Sequence, residues 1–305
     1  IIYNPLKKLS KYKLHLINTA DKKFETIKQL NNSILKKTKS IKPDYIFLAI
    51  NTYEVYLETL YLLKKSCGSK IINWFSDDSW RYNQHSKFYA KNSDYVITNY
   101  RPSHIENKSK GINSILSNWG CPDHWISNIN KSKNCKYDVT FVGSKYLDRS
   151  EYINYILKRG INVKCFGNQW KKSSSISETK LRKIINNSKI SLNFSKSRGK
   201  VRQTKARIFE VTGAGGFCLT EKSNELYSLF KKNEVICFKN KLELYKKIKF
   251  YLKNHKLRDK IAYKANLKTK KQYKNTIIIF SILKKIVRQK KEKKLQNFVY
   301  FQNNQ

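Results

Sequence analysis

KISLNFSKSRGKVRQTKARIFEVTGAGGFCLTE, residues 189–221, sets out an apolar run, a basic loop, a helical stretch, a glycine cluster and a second apolar run. Four of the chain's ten glycines fall in it, namely Gly199, Gly213, Gly215 and Gly216. Ile190–Phe194 is short enough, and alternates enough, for a strand. Ser195–Val201 is mostly polar and is broken at Gly199. Gln203–Thr212 places Ala206 and Phe209 at helical spacing, with Ile208 and Val211 on a buried flank. Gly213-Ala-Gly-Gly216 stops that helix, because glycine tolerates the left-handed backbone of a helix C-terminus. Phe217–Thr220 reads as a second short buried strand. The order is that of a β-loop-α-β unit.

In open parallel sheets, ligands sit at the carboxyl ends of the strands. That end here carries Ser195, Lys196, Ser197, Arg198, Gln203, Lys205 and Arg207. Hydroxyls, an amide and cations beside a helix N-terminus suit a phosphate group. Glu210 would repel a phosphate and is better placed to accept from sugar hydroxyls. The plainer alternative makes Arg207 and Glu210 an i,i+3 surface pair.

KARIFEVTGAGGFCLTE, followed by ELYSLFKKNEVICF, resembles the donor-binding segment of GT-B glycosyltransferases, and most of all the CgeB-like (spore-maturation) family. The resemblance runs strongly over about 137–275 and more weakly over 40–125. It implies that Glu210 contacts the nucleotide ribose, that Lys205 and Arg207 face the donor diphosphate, and that Gly213–Gly216 lets backbone approach the donor. It also implies that Gly143 and Ser144 lie near the phosphates and Gly167 to Trp170, with Asn168, near the base. Related retaining enzymes carry a second glutamate eight residues before the first, where this chain has Arg202. The class needs no bound metal or cofactor, with cations such as Lys205 and Arg207 neutralising the leaving diphosphate.

The 305 residues suit two domains of about 150 each. The net charge is +43, and 54 of the 64 basic residues are lysine. Base-reading and phosphate-clamping proteins lean on arginine, so most of this charge reads as solvated lysine from an AT-rich coding sequence. Anionic donors, anionic glycans and acidic membrane surfaces would still be attracted at low salt. Cys67, Cys121, Cys135, Cys165, Cys218 and Cys237 form no C-x-x-C pair and no zinc spacing, which fits a reducing cytoplasm. No apolar run approaches the roughly 20 residues of a membrane span. The chain opens on Ile1-Ile2 and has no methionine, as a chain lacking its first residues would, so a targeting segment stays open.

Along the chain, strands are expected at Leu14–Asn18, Asp44–Ile50, Lys70–Phe75, Asp94–Asn99 and Ile112–Ser117, alternating with helices at Lys22–Lys37 and Tyr53–Lys65. Polar, aperiodic Ser127–Lys136 reads as an interdomain linker. Strands then follow at Tyr137–Val142, Ile161–Phe166 and Glu234–Phe238. Helices are expected at Arg149–Lys158, Ser177–Asn187, Lys241–Asn254, His255–Lys271 and Thr276–Lys290, and Lys290–Gln305 reads as a frayed basic tail. The expectation is α/β: two Rossmann-like parallel-sheet domains facing each other across a cleft. Residues 1–130 would hold the acceptor and 137–275 the nucleotide-sugar donor, with 276–305 a terminal helix and tail.

Asp77 and Asp78 follow a first-domain strand. Paired carboxylates shift one another's pKa, and a raised one would take the acceptor's proton. The alternative is a solvated helix N-terminus, where Asp and Ser are preferred caps. His85 is the next candidate base, and His124 a candidate lining residue, whereas His104 and His255 read as surface residues. Trp170 reads rather as ordinary packing. Asp77-Asp78 lacks the spacing of a metal-binding D-x-D, and no metal is expected.

The sequence therefore points to a hexosyltransferase-type glycosyltransferase. It would move a sugar from a nucleoside diphosphate sugar to a hydroxyl of a glycan or glycolipid in glycan biosynthesis. It would be cytoplasmic, with an anionic membrane surface admitted as a peripheral contact and no specific nucleic acid as partner. Two rivals stay open: a non-enzymatic basic binding protein, and a degenerate transferase that binds sugar nucleotide without turnover.

Overall fold

The computed structural model describes residues 2–8, 12–21, 24–50, 52–130, 134–146, 148–170, 176–198, 201–287 and 296–302. The chain divides into two units, residues 119–275 forming one and residues 1–118 with 276–305 the other. Each is built around its own parallel sheet.

Unit 1 opens with α1 (Tyr3–Lys8) and β1 (Tyr12–Asn18), then α2 (Ile27–Ile41), β2 (Tyr45–Ala49), α3 (Leu57–Cys67) and β3 (Lys70–Phe75). Next come α4 (Asp78–Arg81), a π-helical turn at Tyr82–Ser86, α5 (Lys87–Lys91), β4 (Tyr95–Thr98), α6 (Arg101–Ser109) and β5 (Ser114–Leu116). The expected start of α2 moves from Lys22 to Ile27, and the cap explains why. Thr26 Oγ1 accepts from Gln29 N at 3.1 Å while the Gln29 side chain accepts from Thr26 N, a reciprocal capping box. Lys22 and Lys23 lie outside the described residues. β2 and β3 are buried on both faces, as strands of a parallel sheet covered by helices must be.

Unit 2 runs β6 (Tyr137–Val142), α7 (Arg149–Leu157), β7 (Val163–Phe166), α8 (Glu178–Asn186), β8 (Ser188–Asn193), α9 (Ala206–Gly213), β9 (Cys218–Glu221), α10 (Leu226–Leu229), β10 (Ile236–Phe238), α11 (Lys241–Lys253) and α12 (His255–Gln272). Its strand order is β10-β9-β8-β6-β7. The core between sheet and helices gathers Val139, Ile153, Ile190, Leu219, Phe238 and Leu244. The β8–α9–β9 stretch is the unit foreseen from residues 189–221, although its helix begins at Ala206 rather than Gln203. Gly199 lies outside the described residues.

The last segment returns to unit 1. In α13 (Asn275–Val287), Ile279, Ile282, Leu283 and Ile286 join Phe47, Trp74 and Ile97 in one core. β11 (Gln296–Gln302) lies between β1 and β2, parallel to both, in the order β1-β11-β2-β3-β4-β5. The described residues 276–287 and 296–302 are thus not an appended helix and frayed tail. Phe298, Val299, Tyr300 and Phe301 are each at most 2% exposed, and that burial outweighs the fraying expected of a terminus. Residues 288–295 and 303–305 of that segment lie outside the described residues.

The expected linker also moves. Residues 119–130 belong to unit 2: Cys121 N donates to Tyr273 O (2.7 Å), Asn275 N to Cys121 O (2.9 Å), and Ser127 N to Gly213 O (3.0 Å). Polar composition read as a linker here because the segment's backbone is satisfied by other backbone, not by its own periodic pairing. Residues 131–133 lie outside the described residues.

Candidate active site

At the carboxyl edge of the unit 2 sheet, one carboxylate organises the loop after β8. Glu221, the last residue of β9, is 1% exposed. Its Oε2 accepts from Ser195 N (3.0 Å), Ser195 Oγ (3.2 Å) and Lys196 N (3.1 Å), and its Oε1 from Arg202 Nε (2.8 Å). Gln203 N closes the loop on Ser195 O at 3.0 Å. Lys196 Nζ donates to Asp148 Oδ2 at 2.8 Å, and that bond raises the lysine's pKa. Ser195 is therefore buried as a hinge of the loop, Gln203 is buried behind it, and Arg198 is exposed at its tip. Arg202, standing where related enzymes carry a second glutamate, is the ion-pair partner of Glu221.

The loops after β6 and β7 lie on each other. Gly143 N donates to Phe166 O (2.9 Å), Lys145 N to Asn168 O (3.0 Å), and Trp170 Nε1 to Gly143 O (2.8 Å). Gly167 has φ +117°, and a Cβ there would stand 2.8 Å from Gly143 O, so only glycine fits. Trp170 packs edge-on against Phe141 with ring centroids 6.0 Å apart, which makes it a packing residue. Ser144 and Asn168 are exposed on this rim.

Arg149, the first residue of α7, was not singled out in the sequence. Its Nη1 donates to Ser144 O at 3.1 Å, and its guanidinium lies 5.7 Å from the Phe141 ring centre and 5.9 Å from that of Tyr146. Its Nε is buried with no hydrogen-bond partner. Burial pulls the Arg149 pKa down, Asp148 and Glu221 oppose that, and the like charge of Arg207 adds to it. A half-buried guanidinium with an enclosed, unsatisfied N–H, within electrostatic reach of a second guanidinium, is costly unless an anion joins them.

Lys205 is the extended N-cap residue of α9. Further along, Arg207 Nη1 meets Glu210 Oε2 at 2.5 Å, with side chains 24% and 19% exposed. The surface-pair alternative is half right, since the pair exists but is largely buried. Burial pushes the Glu210 pKa up, against the pull of Arg207 and with a small addition from Glu178.

Gly213, Gly215 and Gly216 do a different job from the one expected. A Cβ on Gly213 would stand 2.2 Å from Cys121 Sγ, one on Gly215 2.6 Å from Asn128 O, and one on Gly216 2.8 Å from an Ile185 methyl. Their open sides are filled by this chain's own 121–129 segment and α8. What packs against them is side chain at Gly213 and Gly216 and backbone at Gly215.

In unit 1 the three candidate catalytic residues separate. Asp77, Arg81 and His85 line a small cavity of about 10 Å³, room for about one water, beyond the carboxyl ends of β2 and β3. Asp78 turns away and is 2% exposed. Its Oδ2 accepts from Thr98 Oγ1 at 2.6 Å, and Oδ1 is buried without a partner. Sequestration in the core removes it as a base for an external acceptor. His85 is 2% exposed, packed among Tyr53, Phe75 and Tyr89, and its Nε2 lies 3.0 Å from Thr52 O. A carbonyl partner places the proton on Nε2, so that nitrogen is no base, and burial lowers the ring's pKa further. Asp77 alone of the three stays partly exposed without such ties. His124 pairs with Glu178 at 2.7 Å, His104 is half-buried against Ser114 Oγ at 2.9 Å rather than a free surface residue, and His255 is exposed as expected.

Asp78 gives a test of that separation. Its pKa is raised from 3.8 to about 6, first by burial, with Asp77 adding a little and bonds to Ser86 and Thr98 opposing. The folded value lies above the unfolded one. The protonated form therefore carries the stability, which is full below about 3.8 and is lost as pH rises through about 6. Asp78→Asn mimics the protonated form. Urea unfolding is expected to show the variant gaining up to about 3 kcal/mol on wild type between about pH 4 and about pH 7.5. A pH-independent difference would show that Asp78 ionises freely in the fold.

A larger hollow in unit 1, about 820 Å³, lies between Phe88, Asp94 and Ile112 at the amino ends of β4 and β5. That is the opposite end from the ligand crevice of a parallel sheet. Its lysines Lys91 and Lys110 stand at the C-termini of α5 and α6, where a cation offsets the carbonyl dipoles. It is not the donor site. Among the described residues no three His, Cys, Asp or Glu side chains group closely enough to hold a metal ion, and no helix is long and apolar enough to cross a membrane.

Residues 149–279 match a family model described as glycosyl transferase-like. No curated protein matches. Among solved structures the chain is similar to HepE of Anabaena, solved in complex with UDP-glucose (TM-score 0.64, 10% identity, 85% of this chain and 82% of that one). It is also similar to sucrose-phosphate synthase of Thermosynechococcus elongatus (0.64, 9%, 88% and 79%) and to a glycosyltransferase of Rickettsia africae (0.60, 13%, 93% and 93%). Two parallel-sheet α/β units of this kind are the GT-B fold. The glycosyl transferase-like match over residues 149–279 covers most of unit 2, the unit that carries the candidate site.

Proposed function

We propose that the protein transfers a sugar from a uridine diphosphate sugar to an acceptor hydroxyl on a glycan or glycolipid, and that its kinship is with the CgeB-like enzymes. The observation that carries the donor site is the edge of unit 2. There a half-buried Arg149, its Nε enclosed without a partner, stands within electrostatic reach of Arg207, beside a serine- and lysine-bearing loop pinned by Glu221. Two guanidiniums are the kind of paired charged donors that a diphosphate takes. Ser144, Lys205 and Arg198 extend the same basic rim, and Glu210 is the residue proposed for the ribose hydroxyls. HepE in complex with UDP-glucose, a structural neighbour, supports uridine as the base.

In the transfer, the acceptor oxygen forms the new bond to the sugar's C1 as the bond from C1 to the phosphate oxygen breaks. The nucleoside diphosphate leaves with the electron pair, its charge met by Arg149 and Arg207. Asp77 is proposed to take the acceptor's proton. The donor substrate supplies the reactive group, and the proposal includes no further cofactor.

The test is release of free nucleoside diphosphate from UDP-, GDP-, ADP- and dTDP-sugars, with and without added glycan and glycolipid acceptors. Acceptor-dependent release from one donor is expected, and release from none of them under any acceptor would leave only a binding protein. Arg149→Ala is expected to weaken UDP binding by about 10–100-fold, the loss of a charged hydrogen-bond donor. Titration calorimetry that found a folded variant with wild-type affinity would take Arg149 out of the site.

A further inference from the structure

α11 buries Leu244 and Ile248 in the unit 2 core. At 100° per residue, Leu242, Lys246, Lys249, Phe250 and Lys253 then share the opposite arc. All five are exposed, Leu242 at 50% and Phe250 at 49%. The chain turns at Asn254 into α12, where Lys256 and Leu257 are exposed as well, Leu257 at 42%. Residues 244–258 contain no acid. The one carboxylate of α11, Glu243, is held by Lys247 Nζ at 2.7 Å and by Lys239 N at 2.7 Å. An exposed helix of an ordinary soluble protein mixes its charges and buries its large apolar side chains. This face does neither.

We propose that the face of α11 and the start of α12 docks on an anionic phospholipid bilayer. The helix would lie in the plane of the interface. Phe250, Leu257 and Leu242 would enter the boundary between headgroups and acyl chains, and Lys246, Lys249, Lys253 and Lys256 would meet lipid phosphates. A nucleic acid would answer the lysines but leave the leucines and the phenylalanine in water, so the apolar members decide for a bilayer. The inference stands apart from the donor site, to which this face contributes no residue.

The whole chain is basic, so the test must separate this face from diffuse charge. Binding is measured by co-sedimentation with vesicles of phosphatidylcholine alone and of phosphatidylcholine with phosphatidylglycerol. Three lysines at about 1 kcal/mol each predict that Lys246→Gln/Lys249→Gln/Lys253→Gln weakens binding to the anionic vesicles by about a hundredfold. The matching change on α2, Lys28→Gln/Lys36→Gln/Lys39→Gln, is expected to do far less. The emission that Phe250→Trp adds to that of wild type is expected to shift to the blue on anionic vesicles and not on a DNA duplex. Equal losses in the two charge variants, or an added emission unmoved by vesicles, would overturn the proposal. Tighter binding to the duplex through the same lysines would overturn it in favour of nucleic acid.

Discussion

Phe301→Ala is expected to lower the stability of unit 1 by about 3–5 kcal/mol, the cost of emptying a buried phenylalanine site. Phe301 is fully buried and pairs with Ile17 on one side and Leu48 on the other. It shares its core with Leu30, Ile34, Leu60 and Val96, contributed by α2, α3 and β4. Its neighbours Phe298 and Tyr300 face the other core, beside Tyr45 and Phe47. An edge strand loses such a side chain cheaply because it relaxes outward. β11 is held between two strands and between two helical layers, so collapse is restricted. Denaturant unfolding of the single variant measures the loss. A change below about 0.5 kcal/mol, the ordinary surface range, would mean that the C-terminal strand does not hold this place.

Glu221→Ala is expected to cost about 2–5 kcal/mol and to abolish measurable nucleotide binding. Removing the carboxylate strands the N–H groups of Ser195 and Lys196, each worth about 1–3 kcal/mol when left buried without an acceptor. Arg202 is half exposed and recovers water, so it adds less. The loop after β8 then loses the group that aims it, and the diphosphate loses its cradle. Glu221→Gln keeps one acceptor oxygen and is expected to recover most of the stability but only part of the affinity. That split between stability and binding is what a positioning residue produces. Equal loss of both in the two variants would reduce Glu221 to a fold residue.

How far these features were legible differs by residue. Ile190–Phe194, the helix through Phe209 and the stop at Gly213 could be read because strand and helix periods are local. Glu221 could not be ranked, since its donors are 19–26 residues away and only the pairing of β8 with β9 brings them together. Arg149 gave no local sign, because its distinction is an Nε enclosed by packing without a partner, and not spacing. Asp77 and Asp78 looked alike in sequence, and a helix start separates them by about 100°, one toward solvent and one toward Thr98. At Gly213, Gly215 and Gly216 this chain's own segments approach closely, and sequence does not say what approaches a glycine. Phe298-Val-Tyr-Phe301 carried a strand signal that was outweighed by its place in a basic, polar tail. The resemblance to GT-B enzymes anticipated the fold that the structure shows.

The edge of unit 2 is the place proposed for a nucleoside diphosphate. The direct measurement is thermal unfolding with UDP, GDP, ADP, dTDP and CMP, each at millimolar concentration and near physiological salt. A ligand at about 100 times its dissociation constant stabilises by about 2.7 kcal/mol. UDP is expected to raise the midpoint well beyond the others, and Arg207→Ala to erase the difference. Small, equal shifts that vanish with added salt would mean that the anions meet only the lysine surface, and would contradict the claim.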